Sequence, residues 1–171
     1  MGERLTELSE VLWREREALE LVLFKLEEQR LLLDSGLTHW LGHANREVEV
    51  VLDQLSEMEL NRAVASAAAA DELGIVDDAK LSALAAAAPS PWPCVLERHI
   101  AALRRLADEI LILAGANRTL LQEGLAEVRR DLDGPPRRPC TRVLVDAASY
   151  HAALATNERV LHPSLVDAVR G

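Results

Sequence analysis

The sequence predicts an all-α protein: an elongated antiparallel bundle of three long helices with short helical segments beside them. Three observations predict it. The chain has 171 residues, 49% of them apolar but only 3% aromatic, so a core of single-domain size has to be built from Leu, Val and Ala. Sandwich and barrel strands favour aromatic and β-branched residues, which are scarce here. Finally, apolar residues recur alternately three and four apart over three long stretches, the spacing of a helical seam.

The first stretch reads Leu5, Leu8, Leu12, Glu15, Leu19, Val22, Leu26, Gln29, Leu33. Only Glu15 and Gln29 interrupt it. Glu and Arg residues fill the positions between, as on a solvated face. Asp34-Ser35-Gly36 stops the helix, with Gly36 suited to the left-handed position after the last turn. The second stretch reads Leu37, Leu41, Ala44, Val48, Val51, Leu55, Met58, Arg62, with Thr38 placed to cap its start. It continues into the alanine-rich 63–70, a strong helix former.

Residues 71–78, with Gly74 and Ile75-Val76, break this pattern, and 79–88 allow one short helix. Three prolines at 89, 91 and 93 end it. The third seam is Leu96, Ile100, Leu103, Ala107, Ile110, Ala114, Asn117, Leu121, Leu125, Val128, Leu132, closed by Asp133-Gly134-Pro135-Pro136. At about 1.5 Å per residue the three helices are tens of ångströms long, so they must lie side by side, the first folding back on the second at Gly36. Two regions follow: a bundle over 1–134, and a tail over 135–171 made of a Pro/Arg linker and an apolar, weakly periodic end. The tail is expected to hold short helices near 144–155 and 164–170, and to be either mobile without a partner surface or docked on the bundle.

Charge and motifs exclude several function classes. The net charge is −9, and the first 60 residues hold 14 acidic against 6 basic side chains. Such a body is a poor nucleic-acid binder. The N-terminus has no basic segment followed by an apolar one, as a cleavable signal requires, and no stretch is long enough to insert in a membrane; a cytoplasmic location is expected. Cys94 and Cys140 stand apart, without metal-ligand spacing, and are expected to be reduced. Phosphate-cradling glycine loops and nucleophile elbows are absent, so no cofactor and no catalysis are expected. His39, His43 and Glu47 are spaced to share one helical face, as metal ligands would, but Trp40 replaces the Glu that a zinc-protease motif places after its first His. An exposed polar stripe is the preferred reading.

Asn117 is the polar residue at an apolar position of the third seam, flanked by Leu120, Leu121 and Leu125. Two readings are open: it fixes register inside the bundle, or it lines a groove that accepts a partner helix. At this point the residues resemble a family. Leu12-Trp13-Arg14-Glu15-Arg16-Glu17-Ala18-Leu19-Glu20, the run Lys25 to Gly36, Thr38-His39-Trp40-Leu41, Asn45-Arg46-Glu47-Val48-Glu49 and Ala114 to Leu121 are similar, in order and spacing, to the FlgN family of flagellar export chaperones in its actinobacterial type. The similarity covers about residues 5–132.

The resemblance implies a cytoplasmic, non-enzymatic chaperone that binds hook–filament junction proteins before export through the flagellar type III apparatus. It also implies a client site on the C-terminal part of the last helix, which points to Asn117, Leu120, Leu121, Leu125, Val128 and Leu132. Contact with the export apparatus and a homodimer are left open by it. The tail departs from the family's pattern. The alternative from another class is a structural coiled-coil or bundle protein that self-associates through the same seams and has no client.

Overall fold

The computed structural model describes residues 2–75, 80–134 and 140–162. Among these there is no strand. The elements are α1 (Glu3–Asp34), a 3₁₀ turn (Thr38–Trp40), α2 (Leu41–Leu73), α3 (Leu81–Ala87), α4 (Trp92–Asp133) and α5 (Cys140–Val160). The all-α class and the three long helices are as the seams predict.

The stops are chemical. Gly36 has φ 68°, the Leu37 N–H donates to the Leu32 carbonyl at 2.9 Å, and the Gly36 N–H donates to that of Leu33 at 3.2 Å. This is the six-to-one, five-to-two closure that satisfies the last carbonyls of a helix and favours glycine at its left-handed residue. Gly74 closes α2 in the same way, with φ 70° and a bond from the Ile75 N–H to the Ala70 carbonyl at 2.9 Å. Pro93 lies in the first turn of α4, where an N–H would have no helical acceptor. Thr38 does not cap α2; it opens the 3₁₀ turn, and α2 proper starts at Leu41.

Contacts divide the chain into two units. The first contains Met1–Leu21 and Asp53–Asp108. Its buried residues are the seam leucines Leu5, Leu8, Leu12 and Leu19 of α1, Leu55 with Ala65, Ala69 and Ala70 of α2, Leu81 and Leu84 of α3, and Leu96, Leu103 and Leu106 of α4. α1 and α2 run antiparallel here. The Gly2 N–H donates to Glu72 Oε1 at 2.6 Å, while further along Glu15 faces Arg62.

Those last two residues are the polar interruptions of the first and second seams. Arg62 Nε lies 3.3 Å from Glu15 Oε2, and Glu15 is fully buried. Neither Glu15 oxygen accepts a hydrogen bond from the described residues. Burial pushes the Glu15 carboxyl up to about 7, Arg62 pulls it back only in part, and Glu59 adds to the rise. On the α4 side, His99 meets the edge of Trp13, with ring centroids 5.3 Å apart, and lies 3.2 Å from Ser9 Oγ. Burial first, and then the Arg16 charge, hold the His99 pKa down, which favours the neutral ring.

The second unit contains Val22–Leu52 and Glu109–His162. It is a four-helix arrangement of alternating direction. Lys25 Nζ reaches Glu47 Oε2 at 2.7 Å across antiparallel α1 and α2. α4 runs parallel to α1, with Asn117 bonded to Leu26 and Gln29. α5 runs against α4, with Glu158 3.7 Å from Arg118.

The tail therefore differs from its expectation over 144–155. It forms one helix of 21 residues, with Tyr150, Ala153 and Val160 buried. Its periodicity is weak in the sequence because Asp146, Thr156 and Asn157 share the buried face, so polarity does not mark which side turns inward. The expected segment 164–170 lies outside the described residues.

Candidate functional site

Residues 117, 121, 125 and 128 of α4 are spaced four, four and three apart, which stacks them on one stripe of the helix. All four are buried. Leu121, Leu125 and Val128 form a cluster with Leu41 of α2 and with Tyr150 and Ala153 of α5; Leu33 of α1 packs against it, as do Ala147 and Leu154. The stripe is the floor of a groove walled by α1 and α2, and α5 lies in that groove. The other two residues of the predicted set stand apart from the floor. Leu120 is half-buried and lines an open pocket of about 360 Å³ with Leu33, Gly124 and Tyr150, beside Glu123 and Glu127. Leu132 is 47% exposed beyond the end of the stripe.

Two features shape the contact between α4 and α5. At Gly124 the α4 backbone comes so close to Tyr150 that an added Cβ would overlap the ring. The notch is a place for an aromatic side chain.

The second feature is a line of buried amides. Asn117 Nδ2 donates to the Leu26 carbonyl at 2.8 Å and to Gln29 Oε1 at 3.2 Å. From the other side Asn157 Nδ2 donates to the same Gln29 oxygen at 2.8 Å and to the Ala153 carbonyl at 2.9 Å. Gln29 Nε2 and the Oδ1 atoms of Asn117 and Asn157 are buried without a hydrogen-bond partner among the described residues. Further along, Thr156 Oγ1 donates to Glu49 Oε1 at 2.8 Å.

Asn117 thus fixes α4 against α1 through its amide, the first of the two readings the sequence allowed. The sequence reading did not name Gln29, Gly124, Tyr150 or Asn157 as site residues. Gln29 had a signal, since it interrupts the first seam as Asn117 interrupts the third. Gly124, a glycine within a helix bearing no turn signal, had a weaker one.

His39, His43 and Glu47 do not converge as ligands. His39 belongs to the 3₁₀ turn, off the α2 face, and both His rings lean on Trp40 with centroids 5.1 and 5.5 Å away. His43 Nδ1 lies 2.8 Å from Arg46, and the Glu47 carboxylate is held by Lys25. No group of three or more His, Cys, Asp or Glu among the described residues is placed to hold a metal.

The arrangement suits helix recognition. It presents an apolar floor, an aromatic notch and an amide line at one end, which is how an amphipathic helix is read by a groove. No described helix is long and apolar enough to cross a membrane. Comparison with known proteins finds no match among curated proteins or solved structures. It does find the family model described as FlgN protein, matching residues 1–134. The match takes in α1 to α4, including the whole floor stripe, and stops before α5; on that match the chain belongs to the FlgN family of flagellar export chaperones.

Proposed function

We propose that the chain is a cytoplasmic chaperone of the hook–filament junction proteins. It binds a segment of the client as a helix against α4 and so keeps the client soluble and competent for the flagellar type III apparatus. Asn117, Leu120, Leu121, Leu125, Val128 and Leu132 form the client surface, the first as a polar register point and the leucines and valine as the apolar floor and its flanks. The observation that supports this reading most is that the stripe Asn117–Val128, inside the family-matched region, already packs against another helix, α5.

The physical logic is that of shielding. A client segment with an apolar face aggregates when free, and burying that face in a groove removes it from water without folding the rest of the client. The interaction is one of binding rather than catalysis.

Calorimetric titration of the full chain with purified junction proteins tests the reading. Saturable binding to at least one of them is expected, with affinity lost when Leu120 and Leu132, neither of them fully buried, are changed together to Asp. Absence of binding to every junction protein, with light scattering showing a stable self-assembled oligomer, would replace the client by self-association.

A further inference from the structure

We infer that α5 is a stand-in for the client: it occupies the client groove in cis, and its side-chain pattern is the pattern the groove reads. That pattern is an aromatic residue, a small residue three positions on, an apolar residue four on, an amide seven on and an apolar residue ten on. In α5 these are Tyr150, Ala153, Leu154, Asn157 and Val160. The partner it fits is an amphipathic helix carrying an aromatic and an amide two turns apart. The inference rests on the client reading of α4 and specifies what that client must look like.

Three observations carry it. First, α5 lies outside the family-matched residues 1–134 yet packs on Leu121, Leu125 and Val128, and shares the Gln29 oxygen with Asn117, all of them among the residues that the family resemblance assigns to a client. Second, its buried face suits exchange. Asp146, Ala153, Thr156 and Asn157 are buried where a permanently docked helix would carry leucines, and the amide line at its end leaves three buried polar atoms unmatched. Polar contacts that are only partly satisfied hold a helix in register but add little to its hold.

Third, the groove is shaped for particular side chains rather than for apolar area in general. A glycine within a helix weakens that helix, and at Gly124 it lets the Tyr150 ring lie on the α4 backbone. Gln29 offers one amide oxygen to two donors, Asn117 from within the groove wall and Asn157 from the occupant. An occupant without the aromatic leaves the notch void, and one without the amide leaves Gln29 half-paired.

Residues 134–139, with three prolines, tether α5 to the end of α4. A short tether keeps its occupant at millimolar effective concentration, so a free helix competes only when α5 is loosened or when it binds much more tightly.

The test uses the full chain and, as probe, a fluorescent peptide of residues 144–162. Gly42 and Ser149 face each other, with a Cβ at Gly42 lying 3.5 Å from Ser149 Oγ. In a Cys94→Ser, Cys140→Ser background, Gly42→Cys with Ser149→Cys closes a disulfide that holds α5 down, and its reduced form is the folded control. We expect the probe to bind the reduced chain at concentrations high enough to compete with the tethered helix, and to lose at least tenfold on oxidation. Tyr150→Ala in the chain is expected to tighten probe binding at least fivefold, while the same change, or Asn157→Leu, in the probe weakens it at least tenfold.

Equal binding to oxidised and reduced chains, or to the parent and altered probes, overturns the inference. Repeating the titration with a junction protein separates the two readings. A junction protein that binds both redox states alike keeps the client and removes the stand-in. A probe that behaves as expected beside junction proteins that never bind keeps the groove pattern and removes the client's identity.

Discussion

At the scale of single residues, the polar interruptions of the three seams are the informative positions. Glu15, Gln29, Arg62 and Asn117 stand where apolar side chains belong, and they pair off across helices, Glu15 with Arg62 and Gln29 with Asn117. The interruptions were legible in the sequence; the pairing was not, because heptad position does not say which neighbouring helix a side chain will face. Glu15 makes stability depend on pH. Its folded carboxyl is raised to about 7 from an ordinary 4.5, so the folded chain binds a proton more tightly than the unfolded one. The associated stability is full below the ordinary value and is lost as pH rises towards and through 7. Glu15→Gln should therefore flatten the fall of the urea midpoint between pH 5 and 8 and be more stable than the parent at pH 8, by on the order of 2–3 kcal/mol. A variant with the parent's slope would remove Glu15 as its source. For the amide line, Asn117→Leu leaves Gln29 facing a methyl group and should cost about 1–3 kcal/mol. Adding Gln29→Leu and Asn157→Leu should recover part of that loss, because no buried amide is then left unmatched; urea unfolding of the series reads it.

At the scale of elements, α1, α2 and α4 were legible as seams and α5 was not. The long helices bury Leu, Val, Ile or Ala at most seam positions, so period and composition agree. α5 buries alanine, threonine, asparagine and aspartate, so only its position against the other helices reveals its inner face. The same reasoning explains why Gly124 was passed over: its role is set by the ring of Tyr150, a residue in another helix. Gly124→Ala should raise the helix propensity of α4 by about 1 kcal/mol, yet it forces the Tyr150 ring out of its notch. The net effect should be a loss of about 1–3 kcal/mol, the usual range for overpacking. A thermal melt in which this variant is more stable than the parent would show that the notch does not hold the ring.

At the scale of the whole molecule, the acidic surface of the first 60 residues and the floor stripe of α4 differ in character. Thirteen of the fourteen acidic side chains there reach solvent, Glu15 being the buried one, whereas the floor stripe of α4 carries no charge. The proposed client surface was read from the sequence as a stripe of α4, and four of its six residues do share one buried face of that helix. That a helix of the same chain covers them was only one of two outcomes the tail allowed, since nothing in a weakly periodic segment states what it docks against. The proposal as a whole is that a FlgN-family chain holds its client groove closed with α5 and opens it for a junction-protein helix of matching pattern. Amide hydrogen exchange of the full chain, with and without a saturating junction protein, tests this most directly. The account predicts that protection falls across 146–160 of α5 while 117–128 of α4 stay protected or gain. Binding that leaves α5 as protected as before would contradict it.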